Sequence, residues 1–330
     1  MKVFERTTTE QMTGLKYAGW LCLNVILILI ALVSVKFFGE HKLAPTTTGL
    51  SGLLAQPRVD LLLIGSSHTR KSYDMRLLEQ KSHLSNSFLI TYNGMDMSAM
   101  AEALDYLAAH PEHRPRYVVV DAYCLLIAHA PDIEAPEMYF DAPPEMKVSL
   151  LRSYIQSRPL RSSTLDVFDL VVNRGNDEIF AFPLYRWATR SSSYRGGRTD
   201  FYFPGMSAEQ FQNLQLPVNE TMPNARQMAA LEHIMDLAQK NRIALIFIDT
   251  PLPLPVSRNP RLLTLKKDFE TAVVARGFPY LDADTFFPNG DAAYFSDNNH
   301  LSSEGREVFT HLIAQKLDDW VANNGQSALQ

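Results

Sequence analysis

Hydrophobic positions along the chain fall into short apolar runs, at residues 59–64, 88–92, 117–120, 243–248 and 280–281. Several of these runs are apolar on both faces, which is typical of strands buried in a parallel sheet. The segments between and after them carry apolar residues at helical spacing, most clearly at 73–81, 97–110, 225–241 and 304–321. This alternation predicts an α/β fold, a three-layer α/β/α sandwich around a central five-stranded parallel sheet.

One apolar segment near the amino terminus differs from the others in length. Residues 17–35 contain no charged residue and a single Asn24, and a helix of this length crosses a hydrocarbon core of about 30 Å. Lys36 and Phe37 follow directly, without the small-residue cleavage site of a signal peptide. We therefore expect one transmembrane helix that is retained as an anchor. A buried core helix is the alternative, but the residues before it are too few to cover its apolar circumference.

The remaining chain can be divided by composition. Pro, Arg, Ser and aromatic residues replace the strand and helix pattern after residue 123, over a stretch too long for a plain connection. We expect this insertion to lie over the carboxyl ends of the strands, where open α/β sheets bind ligands. The predicted organisation is a cytoplasmic segment 1–16, an anchor 17–35, a linker 36–58, a domain 59–322 with an insertion at about 124–224, and a tail 323–330.

Charge and cysteine content exclude some functions. The chain has 31 basic and 36 acidic residues, a net charge of -5, and no basic stripe of the kind that nucleic acids require. Cys22 lies within the predicted anchor, so Cys124 has no partner for a disulfide inside the domain. Basic residues flank the anchor on both sides, and charge alone barely decides its orientation.

A serine follows the first predicted strand in the stretch LLLIGSSHTR, residues 61–70. Ser67 would stand at the carboxyl edge of the sheet, just before a helix. Backbone N–H groups at such a position can stabilise an oxyanion if a base removes the hydroxyl proton. Gly-Ser-Ser is also a common turn, and a purely structural role is the alternative.

A candidate base appears before the last predicted helix, in SDNNHLSS. Asp297 and His300 are three residues apart, so the carboxylate can orient the imidazole while the other ring nitrogen accepts a proton. The alternative is local, with Ser302 capping the helix and His300 packing beside it.

Together, GSSH after the first strand and DNNHL before the last helix resemble the SGNH (GDSL-like) hydrolase family, over residues 59–322 apart from the insertion. This resemblance implies a flavodoxin-like sheet of SGNH type. It also implies Ser67 as nucleophile, His300 as general base and Asp297 as the group that orients it.

The resemblance implies three oxyanion donors. Two are the N–H of Ser67 and the N–H of Gly94, in TYNGMDMS after the second strand. The family's third donor, an Asn after the third strand, is missing from 121–123, and Asn93 is the substitute we consider, although it could equally be a turn residue. Ser66 also replaces the family's aspartate. One lost donor costs about 100- to 1000-fold in rate, so these departures argue against a fast general esterase.

Four further residues are candidate substrate contacts. His68 and Arg70 flank the nucleophile and could bind a carboxylate or phosphate, or simply face solvent. Tyr123 follows the third strand. Asp249 ends the fourth strand and either lines the cleft or is structural.

No cofactor and no metal site are predicted. Asp282 and Asp284 could join His300 around a metal ion, but no second histidine stands at ligand spacing. The aromatic residues of the insertion could stack on sugar rings or form a small core of their own: Tyr185, Trp187, Tyr194, Tyr202 and Phe203.

The anchor, the GSSH motif and the insertion are similar to the membrane-anchored branch of the family, which includes the D-alanine transfer protein of teichoic-acid modification and alginate O-acetylation proteins. This resemblance implies transfer of an acyl group, most plausibly acetyl, through an ester on Ser67 to a hydroxyl of a cell-envelope glycan. It implies a site outside the cytoplasmic membrane, beside a multi-spanning membrane-bound O-acyltransferase. Hydrolysis by the same site, a catalytically silent binding or recruiting module, and an assembly protein that uses the insertion as an arm stay open.

Overall fold

The computed structural model describes residues 17–31, 34, 48–122, 136–156, 193–199, 202–214 and 225–327. The chain divides into two compact units. One comprises Met1–Thr46 and Asp169–Arg190, and the other comprises Thr47–Phe168 and Ser191–Gln330. The candidate site belongs entirely to the second unit. Tyr123, Cys124, Tyr185 and Trp187 lie outside the described residues.

In the first unit, residues 17–31 form a helix, α1. Its large apolar side chains are exposed, from 48% for Val25 to 71% for Tyr17. Across the ranges given above, no helix is both long enough and apolar enough to cross a membrane. Of the predicted anchor 17–35, residues 32, 33 and 35 lie outside the described ranges. Residues 1–16 and 36–47 lie outside them as well.

The second unit is built on a five-stranded sheet whose strands are all parallel, as predicted. The strands are β1 (Leu61–Gly65), β2 (Ser87–Thr91), β3 (Tyr117–Asp121), β6 (Ala244–Asp249) and β7 (Tyr280–Asp282), and a separate hairpin contains β4 (Ser193–Tyr194) and β5 (Gly197–Arg198). The strand order is β2-β1-β3-β6-β7, so the chain adds strands first on one side of β1 and then on the other. Ligands bind at this reversal point in open α/β sheets, outside the carboxyl ends of the strands.

Helices cover both faces of this sheet. Their bounds are α2 (Gly49–Leu54), α3 (Ser67–Ser72), α4 (Met75–Lys81), α5 (Met97–Ala109), α6 (Pro136–Asp141), α7 (Pro144–Gln156), α8 (Ala208–Gln212), α9 (Ala225–Asn241), α10 (Leu254–Ser257), α11 (Pro260–Ala275) and α12 (Ser303–Ser327). The 3₁₀ turns Ala283–Thr285 and Ala292–Tyr294 lie between β7 and α12.

Alternate residues of each strand face opposite helical layers. Leu62 and Ile64 of β1 belong to a core with residues of α2, α5, α9 and α11. Leu61 and Leu63 belong to a second core with residues of α4 and α12. All five residues of β1 are buried, which explains why its sequence shows an unbroken apolar run rather than alternation.

Two predicted boundaries differ from the structure, and one helix was not predicted. The predicted linker 36–58 contains α2, because Leu50 and Leu53 are three residues apart and both are buried. The predicted tail 323–330 begins inside α12, which continues to Ser327. Helix α11 was not predicted at all.

The described parts of the predicted insertion do not all lie over the carboxyl ends of the strands. Helix α7 packs on α5, where Ser149 Oγ donates to Glu102 Oε2 at 2.8 Å. The hairpin runs beside β2, whose Leu89 N–H donates to Arg195 O at 2.9 Å. The hairpin therefore covers the edge of β2 at Leu89. Residues 202–214 do reach the candidate site, as described below.

Candidate active site

Ser67 is the first residue of α3, directly after the turn that ends β1. Ser66 caps this helix, since its Oγ accepts from the N–H of His68 at 3.2 Å. Ser67 is half-buried between two buried neighbours. Gly65 permits the tight packing of this turn: a Cβ there would collide with the Thr69 hydroxyl and lie 2.7 Å from the Cβ of Asp121.

Ser67, His300 and Asp297 come together as predicted from the two motifs. Ser67 Oγ lies 3.0 Å from His300 Nε2, although the residues are 233 positions apart. Both carboxylate oxygens of Asp297 lie 2.9 Å from His300 Nδ1. This arrangement lets Nδ1 donate to the carboxylate while Nε2 accepts the hydroxyl proton.

The carboxylate of Asp297 is fixed by its own loop. Its Oδ1 accepts from the backbone N–H of Asn299 at 3.0 Å and of His300 at 2.9 Å. Lys71 Nζ of α3 lies 3.4 Å from Oδ2. Burial raises the pKa of Asp297, but these hydrogen bonds and neighbouring charges outweigh burial and hold the pKa well below its usual range. Asp297 is therefore ionised at neutral pH.

His300 is suited to act as a base. Burial lowers its pKa, and the charges of His68 and Lys71 lower it further, while Asp297 opposes this. The balance leaves the pKa below its ordinary value. The imidazole is consequently neutral near pH 7, which a general base requires.

The predicted oxyanion residues lie at the neighbouring strand end. Tyr92 N–H donates to Gly65 O at 3.4 Å, so the turn after β2 adjoins the turn that carries Ser67. Gly94 has a φ of +65°, which favours glycine. Asn93 is exposed, and its Oδ1 accepts from the guanidinium of Arg70. Its NH₂ group is the part that can donate to an anion.

A cluster of buried polar side chains supports the turn that carries Ser67. Of its members, the sequence analysis named only His68 as a candidate site residue. His68 is 1% exposed, so it is not a solvent-facing residue of the helix entrance. Its Nδ1 bonds Thr250 Oγ1 at the end of β6 and lies 3.8 Å from Asp121 Oδ2 at the end of β3. Asp121 also accepts from Thr69 Oγ1. The sequence contains a signal for this group, since Thr250 and Asp121 each stand at the end of an apolar run.

Asp249 is not brought together with Ser67. It is fully buried, and its Oδ2 lies 2.5 Å from Lys266 Nζ. Lys266 also lies 3.2 Å from Asp282 Oδ1 and 2.5 Å from Asp284 Oδ2. Burial raises the pKa of Asp249 to about 7, although Lys266 opposes this. Asp249 is therefore placed in a buried ionic cluster rather than in the substrate cleft.

The same cluster is a possible metal-ligand set by geometry. Ligand oxygens of Asp249, Asp282 and Asp284 lie within 4.8 Å of one another. Lys266 contacts all three carboxylates and already supplies a positive charge among them. His300 belongs to the Ser67 site and not to this group.

Residues 202–214 pack beside the Asp297 loop. Phe203 N–H donates to Ser303 Oγ at 2.8 Å, and Ser303 N–H donates to Phe203 O at 2.9 Å. Met206 N–H donates to Phe295 O at 2.9 Å. The ring centroid of Phe203 lies 4.6 Å from Lys71 Nζ, so this aromatic residue binds a lysine of the site. Tyr194 of the hairpin, in contrast, donates a hydroxyl hydrogen bond to Glu79 of α4.

The fold and the site together define a doubly wound α/β protein with a Ser, His and Asp group at the carboxyl edge of its sheet. No family profile and no curated protein matches the sequence. Among solved structures, the chain is similar to a crystal structure of a protein from Bacteroides fragilis that was provisionally assigned as an acylhydrolase. The two are 12% identical with a TM-score of 0.41, over 81% of this chain and 92% of the other.

Proposed function

We propose that this protein is a serine-dependent acyl-group enzyme of the SGNH type, with Ser67 as nucleophile, His300 as general base and Asp297 as its orienting group. The observation that carries the proposal is the continuous set of contacts from Ser67 Oγ to His300 Nε2 at 3.0 Å and from His300 Nδ1 to Asp297 at 2.9 Å. A histidine that merely packed beside the helix would not need both ring nitrogens aligned in this way.

The reaction would proceed in two halves. Ser67 Oγ attacks the carbonyl carbon of an ester as its proton passes to His300 Nε2, and the carbonyl oxygen becomes an anion. Collapse of this intermediate expels the alcohol, which takes the proton from His300 and leaves an acyl-Ser67 ester. An acceptor hydroxyl, deprotonated by His300, then attacks the ester and regenerates Ser67.

The oxyanion would be held by the N–H groups of Ser67 and Gly94 and by the side-chain amide of Asn93. Asp121 is a poor substitute at the missing position, because its carboxyl group already accepts from Thr69 Oγ1 and lies 3.8 Å from His68 Nδ1. The missing third oxyanion donor also favours a second candidate function. In that case the protein is a catalytically silent module of this fold that binds glycan or recruits an acyltransferase.

We further propose that the acceptor is a cell-envelope glycan and that the transferred group is acetyl. Residues 17–35 would anchor the protein in the cytoplasmic membrane, with the second unit on its outer side. The exposed apolar side chains of α1 support an anchor. A multi-spanning membrane-bound O-acyltransferase would be the partner that delivers the acyl group.

Reaction with a fluorophosphonate probe tests whether Ser67 is a nucleophile. We expect labelling of the wild type and of Ser149→Ala, a control at an exposed serine on α7. Ser67→Ala should not be labelled, and His300→Ala should be labelled far more slowly. No labelling of the wild type, under conditions that label a known serine hydrolase, would replace the enzyme proposal with the silent module.

Transfer and hydrolysis are separated by their products. The full chain would be given an activated acetyl ester and candidate glycans, and the products analysed by mass spectrometry. Acetylated glycan supports transfer. Free acetate without acetylated glycan would count against transfer and favour an esterase.

A further inference from the structure

A cavity of about 540 Å³ opens beside the carboxylate of Asp297, within the range of small-molecule sites. The α8 region and the loop before α12 form its walls, with Met206, Gln210, Asn213 and Leu214 on one side and Asp297 and Asn298 on the other. Asp297 contacts His300, which contacts Ser67. The Asp297 carboxylate and the His300 imidazole therefore lie between the cavity and the proposed nucleophile.

Two side chains of the cavity are held ready for hydrogen bonding. Gln210 Oε1 accepts from Ser207 N–H at 3.0 Å in a capping box, which leaves its NH₂ group as a donor. Asn213 Nδ2 donates to Glu209 O at 3.0 Å, which leaves its Oδ1 as an acceptor. The residues are three apart on one helical turn, so a fixed donor and a fixed acceptor stand next to each other.

The charge of the lining selects against anions. Among the described residues that line the cavity there is one carboxylate, on Asp297, and no lysine, arginine or histidine. The nearest lysine of the site, Lys71, is engaged by Asp297 and by the ring of Phe203. A phosphate or uronate would meet the Asp297 carboxylate, and the described lining adds no cation of its own to bind it.

Hydroxyl groups match this lining better. Each sugar hydroxyl both donates and accepts, so two adjacent hydroxyls can bond the Gln210 donor and the Asn213 acceptor together. A third can donate to Asp297, whose side chain is 41% exposed. Met206 and Leu214 offer apolar contacts to the C–H face of a sugar ring.

We propose that this cavity is a subsite for a neutral, polyhydroxylated ligand, namely a sugar unit of an uncharged glycan. The proposal rests on the proposed function and deepens it, because it names the class of acceptor that a site beside the triad would bind. Binding would also cover the exposed edge of Asp297.

Direct binding tests the subsite without requiring catalysis. Titration calorimetry on the full-length Ser67→Ala protein would compare neutral β-1,4-linked tetrasaccharides of glucose, mannose and N-acetylglucosamine with tetragalacturonate. We expect at least one neutral sugar to bind and tetragalacturonate to bind more weakly. Preferential binding of tetragalacturonate, or no binding of any neutral sugar, would overturn the proposal.

Variants locate the binding. Gln210→Glu keeps the capping oxygen but removes the donor, and Asn213→Ala removes the acceptor without adding charge. Each should weaken binding of the neutral sugar by about five- to tenfold, as expected for one hydrogen bond. Gln212→Glu is the matched control, since it makes the same charge change on α8 outside the cavity, and it should leave affinity unchanged. Equal affinity in all variants would overturn the location.

Failure of the proposed function would look different. Sugar binding with this variant pattern, combined with no fluorophosphonate labelling of Ser67 in the wild type, would retain the subsite and reject the enzyme. Labelling of Ser67 without sugar binding would retain the enzyme and reject the subsite.

Discussion

The charge of Lys71 should control the pH at which the site becomes active. Its Nζ lies 3.4 Å from Asp297 Oδ2, and that oxygen lies 2.9 Å from His300 Nδ1, so the two nitrogens are at most 6.3 Å apart, the sum of these distances. A positive charge at that separation disfavours the imidazolium. Removing it by Lys71→Met should therefore raise the pKa of His300.

The size of this effect follows from Coulomb's law. At this separation, two unit charges interact by about 0.7 kcal/mol in water and by about 2.6 kcal/mol at an effective permittivity of about 20. The Lys71 side chain is 19% exposed, so its environment lies between these limits. The pKa of His300 should rise by about half a unit to two units.

The assay is the pH dependence of kcat/KM with p-nitrophenyl acetate. The acidic limb reports the pKa of the base in the free enzyme, and it should move to higher pH in Lys71→Met. Lys71→Arg keeps the charge and should leave the limb near its wild-type position. Lys81→Met, at the end of α4, makes the same change in net charge elsewhere. A limb that stays in place or moves to lower pH in Lys71→Met would refute the reasoning.

Three further predictions concern the triad, the buried cluster and the nucleophile turn. His300→Ala should lower kcat about 10- to 100-fold more than Asp297→Ala, because the imidazole moves the proton and the carboxylate orients it; equal, mild losses in esterase assays would argue against both roles. The pKa of Asp249 is raised in the folded state to about 7, so the proton is held more tightly in the folded than in the unfolded chain, and the free energy of unfolding should fall as pH rises from about 4 to about 7. This fall amounts to up to about 4 kcal/mol for three pKa units. Urea titrations at pH 4.5 and 7.5 should show it in the wild type but not in Asp249→Asn. The same change in the free energy of unfolding in both proteins would contradict the prediction. Gly65→Ala should destabilise the fold by about 1–3 kcal/mol or more, since the new Cβ would overlap the Thr69 hydroxyl; an unchanged urea midpoint would contradict this expectation.

Most of the sheet could be predicted because β1, β2, β3 and β6 are buried almost throughout on both faces. Their unbroken apolar runs, and the two-residue run of the half-buried β7, identified all five strands, and the helical segments between strands required parallel connections. Helix α11 was missed for a physical reason. Its buried positions are Leu262, Lys266, Phe269 and Val273, so a lysine interrupts the apolar face that a helix pattern relies on.

That lysine also explains which of the two roles left open for Asp249, lining the cleft or structural, the structure supports. A carboxylate at the end of a central strand can face the ligand crevice or pack inward, and its position in the sequence does not decide between them. Its direction was decided by Lys266, 17 positions later by sequence number, and by Asp282 and Asp284 of the next strand end. Which side chains share a buried charge depends on long-range packing that no local pattern records.

The site likewise shows that strand ends can be read from the sequence, whereas the partner of a side chain at a strand end cannot. Ser67, Asp297 and His300 could be predicted because each stands where a strand or loop reaches the carboxyl edge. The position after β3 has a different use from the one that family resemblance implies. Asp121 accepts from Thr69 and lies near His68, so its carboxyl group is used to hold the turn that carries Ser67. If the site is catalytic, the proposed oxyanion donors are the N–H groups of Ser67 and Gly94 and the side-chain amide of Asn93. The rigidity of the Gly65 to Thr69 turn then becomes part of the catalytic requirement, because a backbone donor can be aimed only by fixing the backbone.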